Sequence, residues 1–373
     1  DTSNDTLSGI SISDITTSSL NIISSGLTLN GDITTSLTSA NSLDLSKSGS
    51  ISLATDSTLT GNLNLNNSGV IAPINSQSIT NTRSLNILFG NQDFDLGLVG
   101  YDVPLQSLSV SGNGALSLST ASTVDGTLPI PITDGTSGIS FLGDLTLELD
   151  QNLIIDTASN NGDINLSGLS INGTFAINLK SGAGNISLND IGLTTPITSI
   201  TTDTTGIINL HGSIINTDLI FDFSKASSVL LNENITLGTS DAYLSSVDFG
   251  NNTIDGNYDL TLYTNSLTWG AIGQDIALQN ISVYSTELAL SISEDVNLAG
   301  DLSLELASLD LSSKIKTTGG DISVSALNNI TMSSSSELTS ADGNINLISQ
   351  TGDIKLGLLA AESQININTT LGS

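Results

Sequence analysis

The chain has 373 residues, and 7 Lys and Arg against 37 Asp and Glu give it a formal net charge of −30 at pH 7. This excess of acid argues against nucleic-acid binding, whose affinity depends on Lys and Arg contacts with phosphate, and against adhesion to an anionic membrane. The sequence has no Cys and one His, so a zinc site or a Ser-His-Asp triad would depend on His211 alone.

The absence of Cys favours an extracellular location, because it is typical of secreted bacterial proteins that do without disulfides. No run of apolar residues is long enough to span a bilayer, so we expect no membrane insertion. We expect the chain to be a mature protein or a piece of a longer one.

A short motif returns along the chain: a glycine, then Asp, Asn or Ile, then alternating apolar and polar residues. The N-terminal part follows this pattern at Gly9, Gly31, Gly49 and Gly69. Two later series return at a nearly constant interval, and their members are GDLTLEL (from Gly143), GDINLSG (Gly162), GNISLND (Gly184), GIINLHG (Gly206), GDLSLEL (Gly300), GDISVSA (Gly320) and GNINLIS (Gly343).

The alternation predicts short strands with one buried face, because side chains of a strand point to opposite sides in turn. A unit of about 20–23 residues holds three such strands and three turns, which is one rung of a coil. We therefore predict an all-β fold, a right-handed parallel β-helix that forms one solenoid over residues 1–373. An antiparallel sandwich fits the local turns but gives no reason for the regular return of the motif.

Two segments depart from the repeat and are predicted to carry irregular loops. Residues 83–106 hold the only Arg, two Phe, a Tyr and three Asp. Residues 243–284 hold four of the five Tyr and the only Trp. We expect any ligand to be bound by these segments.

The stretch GGDISVSALNNITMSSSSELTSADGNINLISQTGDIKLG, from Gly319 to Gly357, resembles the filamentous haemagglutinin-type adhesins of bacteria, which are exported by two-partner secretion. The similarity lies in the recurring Gly-Asp/Asn-Ile-x-Leu rungs and covers about half of the chain (roughly residues 140–225 and 296–357). It implies a long right-handed β-helix, display on the bacterial cell surface and attachment to cells or to a matrix polysaccharide. The resemblance implies no catalytic residues.

Aromatic and acidic residues of the second segment have the chemistry of a carbohydrate site. Flat rings can cover the face of a pyranose, and carboxylates can accept its hydroxyl groups. The predicted ligand residues are Tyr258, Tyr263, Trp269 and Tyr284, with Asp255 and Asp259 nearby. The alternative is that the rings fill an irregular rung.

Calcium is a candidate ligand of the first segment, where Asp93 and Asp95 stand two positions apart and so point to one face of a strand. The same spacing, or the pair Asp301 and Glu305, would suit a general acid and base. A polyuronate-degrading enzyme would need a basic cluster to hold its substrate, and the sequence has none.

Three functions follow from these features. The first is a secreted β-helical adhesin or matrix protein that binds a cell-surface glycan or polysaccharide without catalysis. The second is a structural stalk or filament that associates with itself through the open ends of the rod, where backbone groups lack partners. The third is a β-helical enzyme that degrades polysaccharide.

Overall fold

A computed structural model describes residues 10–37, 42–53, 57–61, 63–64, 71–73, 84–88, 94–95, 105–112, 115–117, 130–143, 145–149, 152–158, 161–214, 220–241, 243–244 and 246–370. The fold is an all-β parallel β-solenoid of about 11 turns. No helix occurs in these residues, and hence none that could cross a membrane. The parallel solenoid predicted from the repeat is confirmed, while its right-handed sense stays a prediction.

The chain divides into two compact units, Asp1–Asn189 with Asp203–Thr205, and Asp190–Thr202 with Gly206–Ser373. Each is built from short strands, and the prediction of a single domain stays a prediction. The strands of the first unit are β1 (Ile10–Ile12), β2 (Ile15–Thr16), β3 (Leu20–Leu29), β4 (Ile33–Thr34), β5 (Leu43–Leu53), β6 (Ser57–Thr60), β7 (Leu63–Asn64), β8 (Ile71–Pro73), β9 (Ser84–Leu88), β10 (Phe94–Asp95), β11 (Leu105–Gly112), β12 (Ala115–Ser117), β13 (Ile130–Gly143), β14 (Leu145–Glu148), β15 (Leu153–Asp156), β16 (Ile164–Asn165), β17 (Leu169–Asn172), β18 (Ala176–Gly182) and β19 (Ile186–Leu188).

The next strand, β20 (Ser199–Thr204), has residues in both units. The strands of the second unit are β21 (Ile207–Leu210), β22 (Ile220–Asp222), β23 (Ser228–Leu231), β24 (Ile235–Leu237), β25 (Ser246–Asp248), β26 (Thr253–Asp255), β27 (Leu260–Tyr263), β28 (Leu267–Thr268), β29 (Ile281–Tyr284), β30 (Ala289–Ile292), β31 (Val296–Leu298), β32 (Leu302–Leu306), β33 (Ser308–Leu311), β34 (Lys314–Thr317), β35 (Ile322–Ala326), β36 (Ile330–Met332), β37 (Glu337–Ser340), β38 (Ile345–Ser349), β39 (Ile354–Lys355), β40 (Leu358–Ala361) and β41 (Ile365–Thr369).

The second unit shows the rung period directly, because strands one turn apart pair in parallel without a register shift. The strands β27, β29, β32, β35, β38 and β41 follow one another in this way. Their first inward position forms an aliphatic column, whose members are Leu260, Ile281, Leu302, Ile322, Ile345 and Ile365. The first five of these side chains are buried. The predicted rung length is therefore confirmed along this sheet.

The first unit follows the same rule with longer rungs in places. Leu145 of β14 pairs with Leu169 of β17, and Ser57 of β6 pairs with Leu85 of β9. Both pairs are further apart in sequence than any successive pair of the aliphatic column. Within the segment 83–106 the described residues belong to β9, β10 and the start of β11, all of which pair in parallel. The other residues of that segment lie outside the described part of the chain.

The segment 243–284, predicted to be irregular, contains five of the strands above, β25 to β29. These strands keep the parallel pairing of their neighbours, as in Tyr263 of β27 with Tyr284 of β29. The aromatic residues leave the repeat intact because they occupy positions on its inner or outer face. A bend at residues 273–276 is a less regular part of the segment, and its predicted irregular loops stay a prediction.

The glycine of the repeated motif is required because successive rungs touch at this position. A Cβ atom on Gly320 would lie 2.3 Å from the backbone carbon of Gly300, and one on Gly343 would lie 2.3 Å from the carbonyl oxygen of Gly320. Such distances are far below van der Waals contact. The motif returns once per rung because each glycine leaves room for the backbone of the neighbouring rung.

An Asp or Asn directly before the strand, which in the repeated motif follows the glycine, connects each rung to the next by a hydrogen bond. We call Asn234, Asp259, Asn280, Asp301, Asp321 and Asn344 the Asp/Asn ladder. The backbone N–H of Asp321 donates to Oδ1 of Asp301 over 2.7 Å, and that of Asn344 donates to Oδ1 of Asp321 over 2.7 Å. Amide side chains also take part, as Nδ2 of Asn280 donates to Oδ1 of Asp259 over 2.7 Å. The ladder thus satisfies backbone donors at a corner, where strand pairing does not reach them.

Replacing Gly320 by Ala should destabilise the protein. The added Cβ meets backbone rather than a mobile side chain, so we expect the free energy of unfolding to fall by about 1–3 kcal/mol, as for other overpacked sites. Gly319→Ala is the control, because the nearest atom to its Cβ would be the carbonyl oxygen of Ala299 at 3.0 Å. Denaturant titration measures both, and an equal effect of the two changes would contradict this account.

The Asp/Asn ladder predicts different outcomes for two changes of Asp321. Asp321→Ala removes the acceptor of both the N–H and the Nδ2 group of Asn344 and should cost about 1 kcal/mol. Asp321→Asn keeps an oxygen at the same place and removes a like charge beside Asp301, so stability should change by less than about 0.5 kcal/mol. Thermal and urea unfolding compare the two variants, and equal losses would show that the hydrogen bonds contribute nothing.

Candidate functional site

Three tyrosines stand at one outward position on consecutive rungs of the second unit. Tyr263 of β27 pairs with Tyr284 of β29, and the bridge between Leu244 and Thr264 places Tyr243 one rung before Tyr263. The rings of Tyr263 and Tyr284 are stacked, with centroids 5.0 Å apart and planes at 18°. The ring of Tyr243 meets that of Tyr263 edge to face at 5.9 Å. We call Tyr243, Tyr263 and Tyr284 the tyrosine ladder.

The geometry of the tyrosine ladder follows from strand spacing. Paired strands lie about 4.8 Å apart, which is close to the spacing at which aromatic rings stack. The rings of Tyr263 and Tyr284, on neighbouring rungs, can therefore stack without any change of backbone. The rings of Tyr263 and Tyr284 are half-buried, whereas Tyr243 is 39% exposed and presents its ring to solvent.

The same outward column continues beyond the tyrosines with Glu305, Ser325 and Ile348. A surface groove of about 160 Å³ opens along it, lined by Tyr243, Ser285, Thr286, Glu305, Leu327 and Gln350, with Leu306 and Ser325 completing the lining. Leu327 and Glu305 are exposed, so the groove offers an apolar and a carboxylate contact to a ligand.

A turn at Ser285 forms one wall of the groove. The Oγ atom of Ser285 accepts the N–H groups of Glu287 and Leu288, at 3.2 and 3.0 Å, and donates to Oδ1 of Asn265 over 3.1 Å. The turn is thus held to the neighbouring rung by side-chain hydrogen bonds. Thr286 and Glu287, which follow Ser285, are exposed at this corner.

The size of the groove limits what it can enclose. Enclosed small-molecule sites usually have volumes of about 300–1,000 Å³, so this groove is smaller than such a site. Seven of its eight described lining residues lie on four successive rungs, from Ser285 through Glu305 and Ser325 to Gln350, and Tyr243 lies two rungs before Ser285. The arrangement suits part of an extended chain rather than a whole compact ligand.

The four predicted carbohydrate residues have different places in the structure. Tyr263 and Tyr284 come together in the tyrosine ladder. Tyr258 is 40% exposed, but it lies in the bend before β27. Trp269 follows β28 and is only 5% exposed, so its indole ring offers no open face to a sugar. The Nε1 atom of Trp269 makes no hydrogen bond in the described structure, and carbohydrate binding by the four residues stays a prediction.

The two carboxylates expected beside these rings have structural partners. Oδ1 of Asp255, a buried residue, accepts the N–H groups of Asp275 and Ile276, at 3.0 and 3.2 Å. Oδ1 of Asp259 accepts the side-chain amide of Asn280 within the Asp/Asn ladder. Both groups therefore stabilise turns between rungs.

Sequence reasoning missed Tyr243 and Glu305 as site residues. The signal for Tyr243 is present in the sequence, since Tyr243, Tyr263 and Tyr284 recur at the rung period. Glu305 stands one rung after Tyr284, at the same position of its strand. Counting by rungs from the two predicted tyrosines would have found both.

The calcium hypothesis concerns residues of the first unit. Asp93 lies outside the described residues, and Asp95 ends β10, where it pairs with Ser117 of β12. No group of three His, Cys, Asp or Glu able to hold a metal ion occurs among the described residues. Calcium binding by Asp93 and Asp95 stays a prediction.

Asp301 and Glu305, the second acid pair considered for catalysis, are four positions apart in extended chain, so their Cα atoms are roughly 13 Å apart. Oδ1 of Asp301 accepts the N–H of Asp321 within the Asp/Asn ladder. A role of this pair as general acid and base stays a hypothesis.

Comparison with family models, curated proteins and solved structures finds no match to this chain. The class of protein is accordingly defined by the structure: a parallel β-solenoid with an outward tyrosine ladder.

Proposed function

We propose that this chain is an extracellular attachment protein of the bacterial cell surface, which binds a glycan or matrix polysaccharide without cleaving it. The observation that carries the proposal is the tyrosine ladder at the edge of a groove with carboxylate and amide groups. The solenoid displays this groove on its outer face, so the ligand can be a long polymer.

The chemistry of the groove supports sugar binding. Tyrosine rings combine an apolar face with a polar hydroxyl, which suits the C–H groups and hydroxyls of a pyranose. Glu305 and Gln350 add an acceptor and an amide with both donor and acceptor groups. Stacking of Tyr263 on Tyr284 restricts the rings before a ligand arrives, which lowers the entropic cost of binding.

The resemblance to filamentous haemagglutinin-type adhesins supports surface display. Its Gly-Asp/Asn-Ile-x-Leu motif corresponds to the rungs that stack through the glycines and the Asp/Asn ladder. A right-handed coil and export from the cell belong to this proposal. The net charge of −30 supports it further, since it keeps an extended surface soluble.

Tyr284→Leu should weaken glycan binding by about five- to tenfold. The change keeps an apolar side chain but removes the flat face, and aromatic contacts contribute about 0.5–1.5 kcal/mol beyond buried area. Tyr258→Leu is the matched control, because that tyrosine lies outside the tyrosine ladder. A glycan and polysaccharide array, with and without calcium, identifies the ligand, and calorimetry then compares the variants.

The same experiment tests the absence of catalysis. Bound oligosaccharides recovered from the protein should be intact by mass spectrometry. Shortened products would favour a polysaccharide-degrading enzyme. Equal losses of glycan affinity in Tyr258→Leu and Tyr284→Leu would show that the tyrosine ladder is not part of the binding site.

We propose as the alternative a filament, in which a sheet edge of one copy pairs with a strand of another. Ile367 of β41 occupies an inward position, since it pairs with Leu347 of β38, which is buried.

Ile367→Lys should abolish end-to-end assembly if this alternative holds, because an inward-pointing charge at a sheet edge opposes strand addition. Ile348→Lys is the control, since Ile348 is 39% exposed but lies on the outward column. Sedimentation velocity over a range of concentrations, with electron microscopy of the products, measures assembly. A wild-type chain that stays monomeric at all concentrations would refute the filament.

A further inference from the structure

The groove beside the tyrosine ladder is acidic as well as aromatic. Glu305 lines it directly, and none of the described residues that line it is Lys, Arg or His. Two more exposed carboxylates stand at adjacent chain positions, Glu287 next to Thr286 and Asp241 shortly before Tyr243. A ligand of this groove therefore meets the carboxylate of Glu305, and no basic residue among the described lining neutralises it.

The lysines on the later strands of the second unit do not offset this charge. Lys314 and Lys316 lie on β34, and Lys355 lies on β39. Those strands belong to different sheets from β29, β32 and β35, which carry the groove. Lys314 also has a carboxylate of its own, since it binds Glu337 of β37 over 3.8 Å. The carboxylate of Glu305 is thus not neutralised by these lysines.

Tyrosine faces next to a carboxylate form a known type of cation site. The negative face of an aromatic ring attracts an ammonium group, and a carboxylate gives it a charge-assisted hydrogen bond. A polyuronate, by contrast, would bring its own carboxylates against Glu305 and would be repelled. A neutral glycan would gain from the rings but not from the charge.

We infer that the groove selects a glycan with free primary amines, of the glucosamine class, over neutral and acidic glycans. This inference rests on the proposed function, because it concerns the ligand class of the same site. Tyr243 lines the groove and covers a sugar face, Tyr284 stands beside the groove in the tyrosine ladder, and Glu305 binds a protonated amine. The extension of the groove over four rungs fits a linear polymer, which brings an amine with each unit.

Non-specific attraction has to be separated from recognition, since a protein of charge −30 draws any polycation toward its surface. Asp310 provides the matched control. It is exposed on β33, which belongs to another sheet than β32. Asp310→Asn and Glu305→Gln change the net charge equally, so a difference between them reports on the groove alone.

The test is calorimetric titration of the whole chain with two glucosamine hexasaccharides of identical linkage, one fully N-acetylated and one fully deacetylated. The titrations are made at mildly acidic pH, where the free amines are charged. We expect the deacetylated ligand to bind more tightly. Glu305→Gln should reduce this preference by about two- to fivefold, as expected for an exposed cation contact, whereas Asp310→Asn should leave it unchanged.

The outcomes distinguish this inference from the proposed function. Equal binding of the two hexasaccharides, or equal effects of Glu305→Gln and Asp310→Asn, would overturn the amine preference and leave glycan binding intact. If neither hexasaccharide binds and the glycan array is also blank, both the amine preference and the proposed glycan binding would be overturned. A lysine hexapeptide that binds as tightly, and loses as much affinity in Tyr284→Leu, would show that the site recognises amines on peptides and would overturn the glycan assignment.

Discussion

The structure depends on hydrogen bonding between successive rungs of backbone. Each strand of the second unit pairs with the strand one turn before it or one turn after it, and no register shift occurs from β27 to β41. A residue is consequently held about 4.8 Å from the residue at the same position of the next rung. The side chain at each position must therefore pack against the side chain at the same position of the next rung. This condition determines which residue types can occupy the position.

The inner and corner positions meet the condition in different ways. Aliphatic side chains stack on one another and exclude water, which is the main favourable term in folding. At the corner, glycine is needed because a Cβ would collide with the neighbouring rung, as at Gly320. Aspartates one rung apart, such as Asp301 and Asp321, would repel each other, but each accepts an N–H from the following rung. The hydrogen bond offsets the repulsion. Asn provides the same oxygen acceptor without a charge, so both Asp and Asn occur in the ladder.

Much of this fold could be predicted from the sequence. The regular return of the glycine motif predicted the rungs, and alternation within each strand predicted which side chains are buried. The rung length itself varies, since Ile345 pairs with Ile365 but Ser57 pairs with the more distant Leu85. Because corners absorb these differences, the period alone does not give the exact register of every rung.

The residues of the candidate site could not all be predicted, because the sequence does not give the register between rungs. The sequence predicted Tyr258, Tyr263, Trp269 and Tyr284 together as carbohydrate ligands, and only Tyr263 and Tyr284 of these four stack on each other in the structure. Trp269 is buried at 5% exposure because its position in the rung faces inward, a fact that composition does not reveal. Tyr243 and Glu305 belong to the site through stacking, at one rung before Tyr263 and one rung after Tyr284. Contacts in a solenoid run along columns, so residues one rung apart are closer than residues a few positions apart on one strand.

The proposed attachment to a glycan would have two ranges of selectivity. At long range, the net charge of −30 raises the local concentration of cationic polymers and lowers that of anionic ones, an effect that salt screens within about 10 Å. At contact range, only a ligand that fits the tyrosine ladder gains the ring and carboxylate contacts together. A groove of about 160 Å³ holds a small part of a polymer, so one contact is weak. Attachment to a long glycan would then depend on many chains binding to it at once, since linked weak contacts multiply in affinity.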